Sequence, residues 1–171
     1  MSQMPMRQAT TADLPSVLEL LGQEWPVEGS DVGAELWAGY LQYLEENGDG
    51  QPDLGVWLLD DDGVVLAIAV TRHLWSPKRV GGQDYSAYPE YLTTRVGHRR
   101  HGLASQLATQ VTRAMAERGH SGAYLWTNPE PSGEVRFWEG QGWQRAPDAA
   151  QPAQPSRGIL MVKTIDINDL G

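Results

Sequence analysis

The stretch from Thr94 to Ser105, Thr-Arg-Val-Gly-His-Arg-Arg-His-Gly-Leu-Ala-Ser, is where residue types and spacing could do chemistry. Arg95, Arg99 and Arg100, with His98 and His101, crowd around Gly97 and Gly102. The segment then opens into a helical pattern in which Leu103, Leu107, Val111 and Met115 repeat every four residues. At a helix N-terminus several backbone N–H groups lack partners and the macrodipole is positive, so a phosphate or pyrophosphate can settle there. Gly102 and Ala104 are small enough to let the backbone approach it. The spacings GxxxxGK[ST] and GxGxxG are both missing, which argues against an NTPase or a dinucleotide oxidoreductase. Cysteine is absent, which removes disulfides, thiolate nucleophiles and Cys-ligated zinc or iron-sulfur sites. Asp60-Asp61-Asp62-Gly63 is acidic, but no glutamate stands where a calcium loop needs its last ligand, so it reads as a turn and no metal is expected.

The charge distribution isolates the same segment. Of the formal charge of -9, residues 1–90 carry -11, residues 91–128 carry +4 and residues 129–171 carry -2. An acidic protein that gathers five of its 13 Lys and Arg residues into one short segment is expected to meet a small anion there; a duplex would be repelled by the rest of the surface, so no nucleic acid is expected.

These residues need a scaffold, and 171 residues with 40% hydrophobic composition predict one compact domain over 1–171, burying roughly 70% of its unfolded surface. The longest purely apolar run, Val64 to Val70, is too short to span a bilayer, and the first residues contain no apolar stretch for a signal peptide. A soluble, cytoplasmic protein that does not meet a membrane is the expectation. Met6 to Thr10 reads as a strand and Thr10 or Thr11 as the cap of a helix through Leu14, Val17, Leu18 and Leu21. A second helix runs from about Asp31 to Glu46 and ends at Gly48 to Pro52; strands follow at Leu54 to Leu59 and Val64 to Leu74, joined at Asp60 to Gly63. Ser76 to Ala87 reads as a loop long enough to be a lid, and Tyr88 to Val96 as a strand. After the helix from Gly102 to Arg118, stopped by Gly119, come a strand at Ala123 to Thr127, a short helix at Glu134 to Gln141, a surface loop at Ala146 to Arg157 and a closing strand at Ile159 to Ile165. This order mixes a hairpin meander with a βαβ unit, which predicts an α/β (α+β) architecture: a mixed sheet flanked by helices.

Arg99-Arg100-His101-Gly102-Leu103-Ala104 resembles the [Q/R]-x-x-G-x-[G/A] pyrophosphate loop of the GNAT superfamily, the CoA-dependent N-acyltransferases. Ala12-Asp13-Leu14-Pro15 is similar to that family's first-helix opening, and Trp126-Thr127-Asn128 to the end of its fifth strand. Phe137-Trp138-Glu139-Gly140-Gln141-Gly142-Trp143 is similar to its F-Y-x-x-x-G-F segment, and the element order is also the family's. The resemblance implies a mostly antiparallel twisted sheet in which a parallel strand pair splays apart to form the acyl-CoA cleft. It implies acetyl-CoA, or another acyl-CoA, as co-substrate, with its pyrophosphate on the backbone N–H groups of Arg99, Arg100, His101, Gly102, Leu103 and Ala104 and on toward Ser105. The pantetheine arm would run beside Leu92, Thr93, Thr94, Arg95 and Val96, where backbone groups near Thr93 to Arg95 would also stabilise the oxyanion. Asn128, Phe137 and Trp138 complete the implied acyl-CoA contacts. Homodimers are common in the family, so a homodimer is an expectation.

The implied chemistry is direct attack of an amine on the thioester, which suits a chain with neither cysteine nor a serine nucleophile elbow. The amine must first lose a proton, and Glu90 is the leading candidate for the base, with Glu24, Glu28, His73 and Asp84 as competitors. Trp138 stands where many family members have a tyrosine that protonates the departing thiolate; an indole N–H cannot act as that acid, and water or Tyr124 would have to. A second reading follows from Trp138: a catalytically impaired acyl-CoA-binding or sensing module. The acceptor is a small-molecule or peptide amine. The acidic first half, and Trp25, Trp37, Trp57 and Trp75 within it, would favour a cationic one by steering and cation–π attraction, although large aromatics also simply fill cores.

Overall fold

The computed structural model describes residues 4–24, 30–47, 54–98, 102–129, 132–154 and 158–166. They fall into two compact units, one built on residues 1–70 and 91–111, the other on 71–90 and 112–171.

In the first unit, strand β1 (Arg7–Gln8) pairs antiparallel with β2 (Leu54–Asp61), Arg7 opposite Leu58 and Gln8 opposite Trp57. Arg7 then fixes the entry to the helices: its Nη atoms donate to both carboxylate oxygens of Asp13 at 2.6 and 2.8 Å, and its Nε donates to Asp60 at 2.8 Å. Thr10 and Asp13 form the capping box of a 3₁₀ turn over Thr11–Asp13 that runs on into α1 (Leu14–Glu24). Helix α2 (Ser30–Asn47) follows. The apolar faces of α1 and α2, through Val17, Leu20, Leu21, Leu41 and Leu44, close on Leu54, Val56, Leu58, Val65 and Ile68 of β2 and the start of β3. Each such side chain contributes about 1.5–3 kcal/mol when fully buried. Trp37 packs against this cluster, partly buried, its ring edge-on to Tyr40 at 5.5 Å.

Strand β3 (Val64–Val80) follows β2 across Asp62 and Gly63, both at positive φ. Ser76 to Ala87 is not the loop expected from its Pro and Gly content. The strand runs to Val80, turns at Gly81 and Gly82 with φ of 58° and 83°, and returns as β4 (Gln83–Thr94). Two consecutive positive-φ residues make the tight turn whose twist matches a hairpin, so the glycine pair is a hairpin signal that the proline obscured. Strands β3 and β4 continue from one unit into the other, as does α3 (Leu103–Glu117). Gly119 closes α3 at φ 92°, with the N–H of Gly119 on Ala116 and that of His120 on Met115, the Schellman pattern.

In the second unit, β4 runs parallel to β5 (Gly122–Thr127), Ala87 opposite Ala123. The space between them is minimal at Gly122, where a Cβ would meet the Tyr85 ring at 2.8 Å and the Asp84 carbonyl at 3.1 Å. Helix α4 (Glu134–Gly140) follows. Short strand β6 (Gln144–Arg145) pairs antiparallel with β7 (Ile159–Thr164), and the loop expected from Ala146 follows it, holding a 3₁₀ turn at Asp148–Ala150 among its described residues, with its first residue, Ala146, buried. Gln151 holds that crossing, donating to Ala146 and Leu160 and accepting from the Leu160 N–H. Strand β7 also pairs antiparallel with β5 from Gly122↔Thr164 to Thr127↔Ile159. The strand order β1-β2-β3-β4-β5-β7-β6 is that of a mixed, mostly antiparallel sheet with one parallel pair. Among the described residues no helix is long and apolar enough to cross a membrane, and no group of three or more His, Asp or Glu could hold a metal ion.

Candidate functional site

The basic segment lies where β4 ends and α3 begins. Leu92, Thr93 and Thr94 are half-buried at the end of the strand. The next four residues form a β-turn closed by the His98 N–H on the Arg95 carbonyl at 3.0 Å, with Gly97 third at φ 91°, a geometry that demands positive φ there. Arg95 and Val96 therefore lie beyond the strand that the sequence extends to Val96. Arg99, Arg100 and His101 lie outside the described residues. Gly102 is exposed at φ 75°, with open space where a Cβ would stand. Its carbonyl accepts the first helical bond, from Gln106 at 3.0 Å, so the N–H groups of Leu103 and Ala104 precede the helix's own acceptors. Leu103 is buried and anchors the first turn, while Ala104 and Ser105 stand outward.

Two glutamines that the sequence reading passed over hold this helix start in place. Gln106 accepts from the Met4 N–H at 2.9 Å, and Gln110 both accepts from the Met6 N–H and donates to the Met4 carbonyl, at 3.0 and 2.8 Å. Each amide bonds main-chain groups of the extended segment before β1, which is why no sequence pattern announces it.

Arg95 departs from its expected part. Its N–H donates to the Leu66 carbonyl at 2.7 Å and so is used within the fold, while its carbonyl accepts from the His98 N–H and keeps a second lone pair. Its guanidinium is buried, donating to the Val65 carbonyl at 2.8 Å and pairing with Glu19 at 2.5 Å. The side chain's role is structural: it ties the start of the basic segment to β3 and α1.

The second unit holds the candidate acid–base groups. Glu90 is ion-paired with Arg72, Nε to Oε2 at 2.7 Å, both partly exposed. Asp84 pairs with Arg79 at 3.3 Å on the surface. Glu28 and the side chain of Glu24 fall outside the described residues, as do Trp25 and the Trp75 side chain. His73 is different. Its Nδ1 lies 3.0 Å from Nε2 of His120, whose Nδ1 lies 2.7 Å from the Ser86 hydroxyl. Burial, then the neighbouring His73 and Arg118, lower the His120 pKa below the usual histidine value, so the ring is neutral at pH 7. His120 escaped the sequence reading because it follows a helix stop, where a histidine gives no periodic signal.

Tyr88 stacks on Tyr124 with parallel rings 4.9 Å apart, and burial raises both phenols, Tyr88 further through Glu90 and Tyr124. Lys78 lies 5.4 Å from the Tyr124 ring and 5.7 Å from that of Trp126, which is well exposed. At the end of β5, Glu134 accepts from the Thr127 hydroxyl at 3.0 Å and the Asn128 N–H at 2.7 Å, fixing Asn128 against the start of α4. Phe137 meets Trp138 edge-on at 4.9 Å, and Trp138 meets the buried Trp143 at 5.6 Å.

The arrangement has a strand–turn–helix start with unpaired helix N–H groups in one unit, and phenols, an ion-paired carboxylate and a histidine pair in the other. Residues 14–143 match the family model of the acetyltransferase (GNAT) family. The chain is similar in fold to the ribosomal-protein-S18-alanine N-acetyltransferase of Escherichia coli at 16% identity, with 95% of this chain and 94% of that one covered and a TM-score of 0.65. It is also similar to the PaiA N-acetyltransferase of Thermoplasma acidophilum, solved with coenzyme A, at 13% identity, 96% and 99% coverage and a TM-score of 0.70. An aminoglycoside 6'-N-acetyltransferase, also complexed with coenzyme A, matches at 16% identity, 95% and 98% coverage and a TM-score of 0.66. At these identities the structural likenesses speak for the fold. No curated protein matches the chain in sequence.

Proposed function

The chain belongs to the acetyltransferase (GNAT) family and is an N-acetyltransferase, and from that premise we propose that it moves an acetyl group from acetyl-CoA to a primary amine by direct attack through a tetrahedral intermediate. The observation that carries the reading is the β4–α3 junction: an exposed Gly102 at φ 75° with open space above it, a small residue at Ala104, and helix N–H groups that precede their own acceptors. A pyrophosphate there meets several donors at the positive end of a helix dipole. The family resemblance assigns Arg99, Arg100 and His101, which lie outside the described residues, to the same anion, and Ser105 would add a hydroxyl in the first turn. In this reading Leu92, Thr93, Thr94 and Val96 lie beside the pantetheine and the oxyanion, and Arg95 contributes its carbonyl, its N–H being held by Leu66. Asn128, Phe137 and Trp138 are the contacts assigned to the second unit.

The departing thiolate needs no strong acid, because a thiol pKa of about 8.5 makes CoA a tolerable leaving group. Tyr124, kept protonated by burial, is the nearest phenol in sequence to the end of β5. The acceptor is a small-molecule or peptide amine; a cationic one is favoured by the net charge of -9 and by steering toward it. The test is release of free CoA from acetyl-CoA in the presence of a panel of primary amines, polyamines, aminoglycosides and basic peptides. The assay reads CoA with a thiol reagent, to which a protein without cysteine adds no background. Release that depends on both protein and amine is the expected result. Binding of acetyl-CoA without release to any of these amine classes would turn the reading to a sensing module.

A further inference from the structure

We propose that Lys78, Tyr124 and Trp126 form a binding site in the second unit for a small planar acid, a ligand whose ring lies against Trp126 and whose carboxylate is taken by the Lys78 ammonium. The site goes beyond the acetyl-transfer reading and does not depend on it, because all three residues belong to that one unit.

Strand pairing builds the apolar part. Across the antiparallel β5–β7 pair, Tyr124 stands opposite Val162 and Trp126 opposite Leu160, and directly opposite residues share a face of the sheet. Leu160 and Val162 are buried in a cluster with Val80, Tyr85 and Ala146, on which Tyr124 packs half-buried. The Tyr88 ring backs Tyr124, parallel to it at 4.9 Å. Two residues further along β5, Trp126 leaves this cover and is 42% exposed, although Leu125 and Thr127 on either side of it are buried. The indole is nonetheless flanked: Gly158, at φ 117°, passes beside it, and a Cβ there would stand 3.7 Å from Trp126 Cε3. A large apolar ring left in water on an otherwise packed sheet face is an observation that calls for an occupant.

The charge is equally local. Strand β3 carries Arg72, Lys78 and Arg79. Arg72 is taken by Glu90 and Arg79 by Asp84, both from β4. Among the described residues Lys78 has no carboxylate and no hydrogen-bond acceptor; its Nζ lies instead 5.4 Å from the Tyr124 ring centroid and 5.7 Å from that of Trp126. Cation–π attraction to two rings holds the ammonium there and leaves its three N–H donors open. In a chain with 22 acids against 13 Lys and Arg, a half-buried ammonium that no carboxylate has claimed is the exception. Nor does an anion of the protein compete on this face: burial keeps the Tyr88 and Tyr124 phenols protonated, and Glu90, whose charge acts on Tyr88, is engaged by Arg72. A ring and an anion are therefore recognised side by side. An aromatic carboxylate presents both, its oxygens accepting charge-assisted hydrogen bonds from Nζ while its ring stacks on the open indole. A ring bearing an ammonium would be repelled by Lys78, and a carboxylate without a ring would leave Trp126 in water.

The experiment is an NMR titration of the whole protein with sodium benzoate at constant ionic strength, following the indole N–H resonance of Trp126, which Trp126→Leu assigns by its loss. In wild type the resonance should shift saturably, with a Kd in the millimolar range or tighter. Acetate, which lacks the ring, and benzylamine, which replaces the acid by a cation, should each bind at least tenfold more weakly. Lys78→Met should weaken benzoate about tenfold or more, the scale of a lost charge-assisted hydrogen bond, and Lys78→Arg should stay within a few-fold of wild type. Comparing the three probes on the wild type makes the test independent of any variant's folding. A benzoate shift that is absent or does not saturate, equal affinity for benzoate and benzylamine, or a folded Lys78→Met that binds benzoate as wild type does, overturns the site. Acetyl transfer enters none of these readouts, so a protein that acetylates no amine would refute the transfer reading and leave this site standing.

Discussion

Gly102 and Gly97 make a matched pair for testing where the pyrophosphate binds. Both are exposed at positive φ, 75° and 91°, and a Cβ built on either meets nothing within 4 Å. An alanine at either position keeps the left-handed backbone at about 1–2 kcal/mol. Part of that is offset by about 0.4–1 kcal/mol from the stiffer unfolded chain. Gly97→Ala and Gly102→Ala should therefore each cost about 1 kcal/mol and lower Tm by about 2–4 °C in a protein of this size. Their ligand behaviour should separate. At Gly102 the new methyl occupies the open space over the first turn of α3, where the proposed pyrophosphate needs the backbone. Loss of one charge-assisted hydrogen bond there is worth about 1.5–3 kcal/mol, or about ten- to a hundredfold in Kd. Gly97, on the β-turn that precedes the loop, carries no such contact. Calorimetric titration of acetyl-CoA into the three proteins, beside thermal scans, gives both numbers. Equal acetyl-CoA affinities in the two variants at equal Tm would refute the placement of the pyrophosphate over Gly102, whatever the affinity of the wild type.

Arg95→Met should keep the buried stem but strip the donors from the Val65 carbonyl and Glu19, lowering stability by about 1–3 kcal/mol while acetyl-CoA affinity per folded molecule is unchanged; a loss of affinity at constant Tm would return Arg95 to the ligand. Gly122→Ala should drive a methyl into the Tyr85 ring and the Asp84 carbonyl, costing about 1–3 kcal/mol, with Tm as the check, and a wild-type Tm would mean that the β4–β5 contact yields freely. Stability should fall on acidification in two windows. The folded pKa of His120 lies below its unfolded value near 6.5, so between the two the unfolded chain binds more protons and stability declines as pH drops through about 6.5. Asp13 is held low chiefly by Arg7, so its contribution is intact above about 4 and disappears below. Urea unfolding against pH should show the upper step vanish in His120→Gln and the lower one persist.

The parts of this molecule that the sequence declares are those whose signal is local. Helix α3 is announced by Leu103, Leu107, Val111 and Met115 on one side and Gly119 at its end, and both its apolar burial and its Schellman stop follow from those residues alone. The proposed anion-binding junction is local in the same way, because a phosphate cradle is made of consecutive backbone groups and its glycine must be adjacent to them. The hairpin at Gly81 and Gly82 was also local, but the pair is ambiguous: the same dipeptide ends a strand or loosens a loop, and Pro77 tips the reading toward a loop. Only the sheet neighbours decide.

Acid–base chemistry is illegible for a deeper reason. A base is defined by what surrounds it in three dimensions, and here the groups in question are spread over β3, β4 and the end of α3. That Glu90 carries Arg72 on its carboxylate, and that His73 has His120 and then Ser86 beside it, are facts of packing that no spacing announces. Arg95 shows the converse. It belongs to the basic segment by position and charge, yet its guanidinium turns inward to Glu19 and Val65, so its side chain is scaffold. Charge clusters in a sequence therefore locate a site to within a loop, but which of their members face the ligand is settled by the packing of the strands on either side.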